Sequence, residues 1–318
     1  MKISVLIPAY NAAATIGAAI NSVLAQTVVP DEILVLDDGS TDETCRHLEV
    51  YQSRITIYRQ ANHGIAHALN FLCQQAKGDI FAFLDADDIW HPRYLQTQCQ
   101  QIEQHPQAAA SFTGHISFHS ANGYAWDAPL PNNLSDAEVF EPLPFLKQYN
   151  SGSGIFCSWS LCCVPKRILN RLGREPFPVE LTGATDFFLM HLLSHYGSMV
   201  YTGERLVAYR KTLGAVTSNR LKSTSSVVMA CELLANALKE IPVGQEYEKL
   251  LKVVFAARRR NYSKFLMSAG RVSDARTQLK RSLKDMSSFL SVAKSMRLLI
   301  STYLPPILQP RWPAIIRK

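Results

Sequence analysis

No run of about 18 apolar residues occurs anywhere in the 318-residue chain, so no membrane-spanning helix is expected. The opening Ile3 to Ile7 is apolar and follows Lys2, but Pro8 and Asn11 interrupt it, and removing it as a signal peptide would delete what reads as a first core strand. Glycine is missing where a dinucleotide fold needs it: the first turn reads PAYNAAATIG, with neither Gly-x-Gly-x-x-Gly nor a Walker lysine loop. Phosphate charge, if it is bound here, must be met in another way. The seven cysteines are an odd number without a Cys-x-x-Cys pair, and Cys162 and Cys163 are adjacent, which argues against both a disulfide framework and a zinc knuckle. Reduced, mostly buried thiols in a cytoplasmic protein are the simplest account. Basic residues are scarce in residues 1–221, where 15 Lys and Arg face 20 Asp and Glu, a balance of −5; residues 222–318 carry 18 against 6, a balance of +12. The C-terminal third is therefore expected to meet an anionic surface, membrane headgroups or nucleic acid.

What is present is an alternation of short apolar runs and helical periodicity. Ile3–Ile7 reads as a strand, and Ile16, Ile20, Val23 and Leu24 recur at helical spacing. Glu32–Leu36 gives a second strand closed by Asp37-Asp38-Gly39, and Ser40-Thr41-Asp42-Glu43 has the pattern of a capping box opening a second helix. Ile55–Tyr58, Ile65–Ala76 and Ile80–Leu84 continue the series as strand, helix and strand. Such alternation predicts an α/β fold with a parallel, doubly wound sheet and a ligand crevice at the strand ends. At the tip of the fourth strand lies FLDADD, Phe83 to Asp88. If the chain stays extended past Leu84, Asp85 and Asp87 share one side and Asp88 takes the other. Two carboxylates so placed repel unless a cation joins them, and an all-oxygen set without His or Cys suits Mg²⁺ or Mn²⁺ carrying phosphate oxygens. Taken alone, an Asp-x-Asp is as readily a solvated acidic turn capping the helix that starts near Pro92. His63 and His67, four apart, have no third ligand at metal spacing and read as ordinary loop and helix residues. Trp90 fits core packing better than a sugar platform.

Four blocks, in order, resemble the signatures of the family 2 glycosyltransferases of the GT-A fold: SVLIPAYN at Ser4–Asn11, EILVLDDGSTDET at Glu32–Thr44, ANHGIAHALN at Ala61–Asn70 and GDIFAFLDADDIWHP at Gly78–Pro92. The resemblance covers the first hundred residues closely and runs more loosely to about Val216. It implies a GT-A domain over residues 1–221, and transfer of a sugar from a nucleotide-diphosphate donor, uridine or thymidine favoured, with inversion at the anomeric carbon. Motif by motif it implies that Pro8, Ala9 and Tyr10 line the base pocket, that Asp37 accepts a hydrogen bond from the base, that Asp85 touches the ribose and that Asp87 holds the metal. Asn11, Asp38, Asn62, Gly64 and Ala86 fall within the same donor-binding motifs. The family often has Ala-Arg-Asn where this chain has Ala68-Leu69-Asn70, so a cationic donor contact is expected to be missing.

Beyond Gly114 the pattern weakens into a long Pro- and Asn-bearing connection, and in the resembled family this half receives the acceptor, a saccharide or a lipid-linked glycan rather than nucleic acid. Ser158 and Trp159 are the candidates for acceptor contact. Asp186 opens the helical run ending at Gly197; as a bland feature it complements the helix dipole, and as a functional one it is the general base that deprotonates the acceptor hydroxyl. The family commonly has a Glu-Asp pair here, with Thr185 in place of the Glu. Tyr209 and Arg210 match a Tyr-Arg-x-His segment whose His is Thr212, leaving Arg210 or Lys211 to supply charge for the leaving diphosphate. From Lys222 onward the chain reads as helices over Val227–Ile241, Glu246–Ser268, Val272–Lys284 and Met286–Tyr303, closed by a basic, Trp312-bearing tail. This 222–318 region fits an interfacial anchor at the inner face of the membrane as well as packing on the catalytic domain. Two other readings stand beside the transferase: a nucleotidyltransferase, which needs a basic Gly-rich loop that PAYNAAATIG lacks, and a non-catalytic scaffold.

Overall fold

The computed structural model describes the chain except for residues 120–123, 125, 127–136, 152–154, 157, 212–218, 242, 286–288 and 304–318. Residues 120–123, 125 and 127–136 of the long connection, the Thr212 position and the Trp312 tail therefore lie outside the described residues, while the second part of that connection forms a short strand and a helix. The chain divides into two compact units, Met1–Thr212 and Leu213–Lys318.

In the first unit the order is β1 (Ile3–Ala9), α1 (Ile16–Leu24), β2 (Glu32–Asp37), α2 (Thr44–Glu49), β3 (Thr56–Arg59), α3 (Ile65–Gln75), β4 (Ile80–Phe83), β5 (Ile89–Trp90), α4 (Tyr94–Gln104), β6 (Ala110–Phe118), β7 (Glu138–Phe140), α5 (Pro142–Ser151), β8 (Cys162–Pro165), α6 (Lys166–Leu169), α7 (Thr185–Leu193) and β9 (Met199–Arg210). The sheet runs β3-β2-β1-β4-β8-β6-β9-β5, with β7 also paired to β9. Its first four strands are parallel, as the alternation predicts. The second half is mixed: β8 is antiparallel to both β4 and β6, and β5 and β7 are antiparallel to β9, while β6 and β9 run parallel. Continuous apolar runs form the inner strands because helices cover both faces. The core accordingly gathers Val5, Ile7, Val35, Ile80, Ala82 and Leu84 with Ile16, Ile20 and Val23 of α1.

Pro8 sits inside β1 at no cost to the ladder. Odd residues of β1 face β2, since Asp31 and Asp38 N–H donate to the carbonyls of Ile3 and Ala9; even ones face β4, where Leu84 N–H donates to Leu6 O. Pro8 therefore faces β4 beyond the last pairing, Leu6 with Phe83, so its missing N–H removes no bond from that pairing.

The expected capping box does not form. Ser40 Oγ accepts from Asn11 N–H (2.9 Å) and so ties this loop to the one after β1, while Asp42, through Oδ1, accepts from Thr44 N–H (3.0 Å) at the first residue of α2. Nor does the chain stay extended after β4: Asp88 N–H donates to Asp85 O (3.1 Å), closing a turn that sends the chain back into β5. The two-residue alternation assumed for Asp85, Asp87 and Asp88 is replaced by a turn because β5 pairs antiparallel with β9 immediately afterwards.

The second unit holds α8 (Arg220–Ala237), α9 (Gln245–Ser268), α10 (Val272–Lys284) and α11 (Phe289–Ser301). The helix α8 begins seven residues before the expected Val227, because Asn219 caps it by accepting from Lys222 N–H (3.0 Å). Gly270 at φ +75° makes the break between α9 and α10. Arg259 of α9 is buried and pairs with Asp285 Oδ2 (2.7 Å) and Glu232 Oε1 (2.9 Å), joining α8, α9 and the end of α10. No helix of the described residues is long and apolar enough to cross a membrane.

Candidate active site

The C-terminal ends of β2, β1 and β4 lie side by side, so Asp37, the Ala9–Tyr10 end and Asp85 share one edge of the sheet. With two strand spacings between β2 and β4, that edge is about 10 Å wide between them, roughly the length of a nucleoside. Pro8 and Ala9 are buried in β1, and Tyr10 emerges from it at 51% exposure. Asp37 is buried, with Oδ1 accepting from Ser40 N–H (3.0 Å).

The neighbouring loops are stitched together by their own polar groups. Asn11, in the left-handed region at φ 48°, accepts at Oδ1 from Thr41 N–H (2.8 Å). Asp38 receives Gln60 Nε2 (2.6 Å), His63 N–H (3.0 Å) and Gly64 N–H (2.8 Å), so its carboxylate shapes the loop ahead of α3. Gly39 has φ +73°, and a Cβ there would lie 2.6 Å from Asn62 N; the turn requires glycine. Asn62 is exposed on this loop, and Gly64 (φ 89°) leads into α3. His63 and His67 lie ring against ring at 4.8 Å, with Gln60 Nε2 3.2 Å from His67 Nδ1, as ordinary loop and helix residues. Leu69 is fully buried at the place where the family often has Arg, so α3 offers no cation there.

The acidic turn is the centre of the electrostatics. Asp85 is partly buried, its N–H donating to Ser160 Oγ (3.0 Å) and its Oδ2 accepting from Ser158 Oγ (3.1 Å). Burial first, and then the charge of Asp87, push its carboxyl up to about 7. Asp88 is completely buried, and burial with the charges of Asp85 and Asp87 raises it well above the usual carboxylate range. Its Oδ1 accepts from Arg210 N–H (2.8 Å), and Oδ2 has no hydrogen-bond partner among the described residues. Arg210 is buried beside the turn, with Nε donating to Asp87 O (2.7 Å) and its guanidinium 4.5 Å over the Phe118 ring. Ala86 packs partly buried against the core.

Asp186 arrives from the other half of the unit. Trp159 brings it: the indole is only 4% exposed, packs on Phe83 of β4 and on Phe177, and donates from Nε1 to Thr185 Oγ1 (2.9 Å) at the start of α7. The hydroxyl of Thr185 thus takes up an indole N–H, and no second carboxylate stands there. Ala184, at φ 57°, turns the chain into the helix. Asp186 is half-buried; burial raises its carboxyl, opposed by the N–H of Phe187 (2.7 Å to Oδ1). Its charge acts on Asp85, and burial, together with the charges of Asp88, Asp85, Asp87 and Asp186, pushes the Tyr209 phenol up.

Asp85, Asp87 and Asp186, singled out in the sequence, therefore meet at one place, with Arg210 beside them. Ser158 touches Asp85, whereas Trp159 has its faces and N–H taken by the protein. Trp90 is buried against Tyr94 (4.1 Å, stacked) and donates to Ser160 O (2.7 Å), as packing requires. Sequence reasoning gave no role in the site to Ser160, Asp88 or Tyr209. The Ser-x-Ser spacing at 158 and 160 was the available signal for the first. The other two depend on pairing between β5 and β9 that no local pattern announces.

Among the described residues, no group of three or more His, Cys, Asp or Glu side chains is arranged to hold a metal ion unaided. The donor set nonetheless fits a hard divalent cation taking few protein ligands. Asp85 is held up to about 7 partly by the charge of its neighbour Asp87, and Asp88 Oδ2 is buried without a hydrogen-bond partner among the described residues.

A mixed α/β sheet, parallel in its first half, whose acidic turn lies at the strand ends defines the GT-A class, and the solved structures agree. The S. aureus TarS 1–349 structure in complex with UDP-GlcNAc covers 95% of this chain and 90% of its own, with a TM-score of 0.66 at 17% identity. The Pyrobaculum calidifontis mannosyltransferase PcManGT, in complex with GDP-Man and Mn²⁺, covers 96% and 81%, with a TM-score of 0.58 at 18% identity. The family model for Glycosyl transferase family 2 matches residues 4–163, and the chain belongs to that family. Escherichia coli WfgD, a UDP-Glc:α-D-GlcNAc-diphosphoundecaprenol β-1,3-glucosyltransferase, is 44% identical over 224 residues, covering 69% of this chain and 81% of its own. Several other curated relatives are matched over about a third of their length.

Proposed function

We propose that the protein transfers a hexose from a UDP-sugar, with inversion, to a hydroxyl of a saccharide carried on a lipid diphosphate, in the assembly of a cell-surface glycan. The observation that carries this reading is the meeting of Asp85, Asp87 and Asp186 at the end of β4 with Arg210 beside them. The identity to WfgD supports the lipid-linked acceptor and the UDP donor.

In this reading Pro8, Ala9 and Tyr10 bound the base, Asp37 accepts a hydrogen bond from it, and Asp85 accepts from the ribose. Asn11, Asp38, Asn62, Gly64 and Ala86 shape the loops around the donor. Asp87 holds Mn²⁺ or Mg²⁺ with Asp85 beside it. That ion supplies charge neutralisation for the diphosphate, the remainder of which falls to Arg210. Asp186 takes the proton of the attacking hydroxyl, and burial suits it to do so because it raises the basicity of the carboxylate. Ser158 holds Asp85 in place, and Trp159 fixes the start of α7 and so the position of the base. Residues 1–221 carry the chemistry. The basic 222–318 region keeps the protein on the inner face of the membrane, where a lipid-linked acceptor is presented; its balance of +12 supports this.

The test is a panel of UDP- and dTDP-sugars with Mn²⁺ and a GlcNAc-α-diphosphate ester of a short-chain alcohol. Turnover with a UDP-hexose that vanishes in EDTA is expected. Release of the sugar 1-phosphate in place of UDP, with the nucleoside monophosphate carried to the acceptor, would instead favour a nucleotidyl transfer, and no release with any donor would favour a scaffold.

A further inference from the structure

Period-two alternation splits β9 into two faces. Arg210 points with Phe118 to one side. Tyr209 belongs to the other, and Lys211 continues it, since its N–H still donates to Phe118 O (2.9 Å), whereas Arg205 lies across a register shift, opposite Gly114 and on the Gly114 side. In the parallel register His115 lies opposite Val207 and Ser117 opposite Tyr209, so His115 and Ser117 of β6 share that second face. Phe156 covers part of it: its ring is 4.5 Å from His115 and 5.2 Å from Tyr209. The result is neither a closed core nor an ordinary polar surface. Phe156 is 41% exposed, and Ser117 and Lys211 are exposed too. Lys211 brings the positive charge of this face, and His115 is lowered by burial first and by that charge second.

The patch also has a defined place relative to the acidic centre. Tyr209 immediately precedes Arg210, whose Nε donates to Asp87 O (2.7 Å) and whose N–H donates to Asp88 Oδ1 (2.8 Å), so the strand that carries it reaches the acidic turn. In the sheet order, β1 and β2 lie on one side of β4, and β8, β6 and β9 on the other. A nucleoside lying along the ends of β1 and β2 leaves the β6/β9 side open. An anionic, ring-bearing substrate is the chemistry that fits it: the C–H face of a pyranose packs on an aromatic ring, and cations a short distance away meet phosphate.

We propose that Phe156 and Tyr209 form the platform for the acceptor sugar, and that Lys211 binds the diphosphate linking that sugar to its lipid. This deepens the transferase reading and rests on it for the chemistry, though not for the binding.

The experiment uses the full chain and two probes, the GlcNAc-α-diphosphate short-chain ester and the corresponding alkyl GlcNAc glycoside without phosphates. With UDP and Mn²⁺ present, the aromatic ring resonances of His115 and Phe156 are followed by NMR during titration. They are expected to shift with the diphosphate probe, to shift only at about tenfold or more higher concentration with the phosphate-free one, and to lose that discrimination in Lys211→Glu while Lys211→Arg retains it. In transfer assays Phe156→Ala is expected to raise acceptor KM about tenfold or more, with donor KM and UDP-sugar hydrolysis unchanged and Phe156→Tyr near wild type. Unshifted ring resonances, or transfer with unaltered acceptor KM in both Phe156→Ala and Lys211→Glu, would overturn the proposal while leaving the transferase reading intact. Ring shifts without turnover in the wild type would uphold the binding face and remove the transferase reading.

Discussion

Replacing Asp87 by Asn tests the acidic turn with opposite signs in two assays. In the ligand-free protein Asp85 is held up to about 7 against an ordinary 3.8, by burial first and by Asp87 second. A group whose folded value is raised contributes stability that is fully present below its ordinary value and is lost as pH rises through the folded value. The wild type should therefore melt at lower temperature as pH goes from about 5 to about 8. The whole shift, about three units, corresponds to at most about 4 kcal/mol, and the Asp87→Asn substitution removes only the second cause, so a gain on the order of 1 kcal/mol at pH 8 is expected. For a unit of this size that is about 2 to 4 °C in Tm. The pH dependence should flatten in the same variant. With Mn²⁺ and UDP added the order reverses, because Asp87 is the ligand: the wild type gains stability, about 2.7 kcal/mol at a hundred times the dissociation constant, and Asp87→Asn gains little. Thermal melts at four pH values, with and without Mn²⁺ and UDP, supply every number. An equal rise of both proteins on adding Mn²⁺ and UDP, or a loss of ligand-free stability in Asp87→Asn at pH 8, would refute the reasoning.

Other perturbations follow from the same geometry. Asp186→Asn keeps the size of the side chain but cannot take a proton, so transfer should fall by about 10² to 10⁴ with donor affinity retained; were Asp186 only a helix-start acid, turnover would stay near normal with at most about 1 kcal/mol of stability lost. Gly39→Ala places a Cβ 2.6 Å from Asn62 N at φ +73°, and should cost roughly 1 to 3 kcal/mol and weaken UDP binding, read by melting and titration. Arg259→Met strands the carboxylate of Asp285, while Glu232 keeps Arg281 Nη1 (2.9 Å); Asp285 is partly exposed, so the loss is about 1 to 3 kcal/mol rather than the full penalty of a buried pair, and an unchanged melting profile would show the helices of the second unit to be held otherwise. Full-length protein should co-sediment with anionic vesicles at low salt and come off as salt rises, whereas binding indifferent to salt would dissociate the basic region from that role.

Much of this protein is legible in its sequence because its first hundred residues are organised locally. The strands β1, β2 and β4 are unbroken apolar runs, the helices between them carry their own periodicity, and in parallel α/β units every ligand-facing loop follows its strand directly. Asp37, Asp85 and Asp87 could therefore be read in order from one dimension. What the sequence could not determine came from pairings between distant segments. The return of the chain into β5 against β9 turned an expected extended tip into a turn, buried Asp88 and brought Arg210 to Asp87 across more than a hundred residues. The indole of Trp159, read as an acceptor contact, became the link between β4 and α7, because its partner hydroxyl on Thr185 lies 26 residues away. Of the aromatic and basic face of β6 and β9, only Tyr209 and Lys211 fall in a motif, and that motif does not tell which face they take. The face exists only because a parallel register sets His115 and Ser117 beside Val207 and Tyr209, and such long-range registers are fixed by packing of the whole sheet rather than by any residue's own preference.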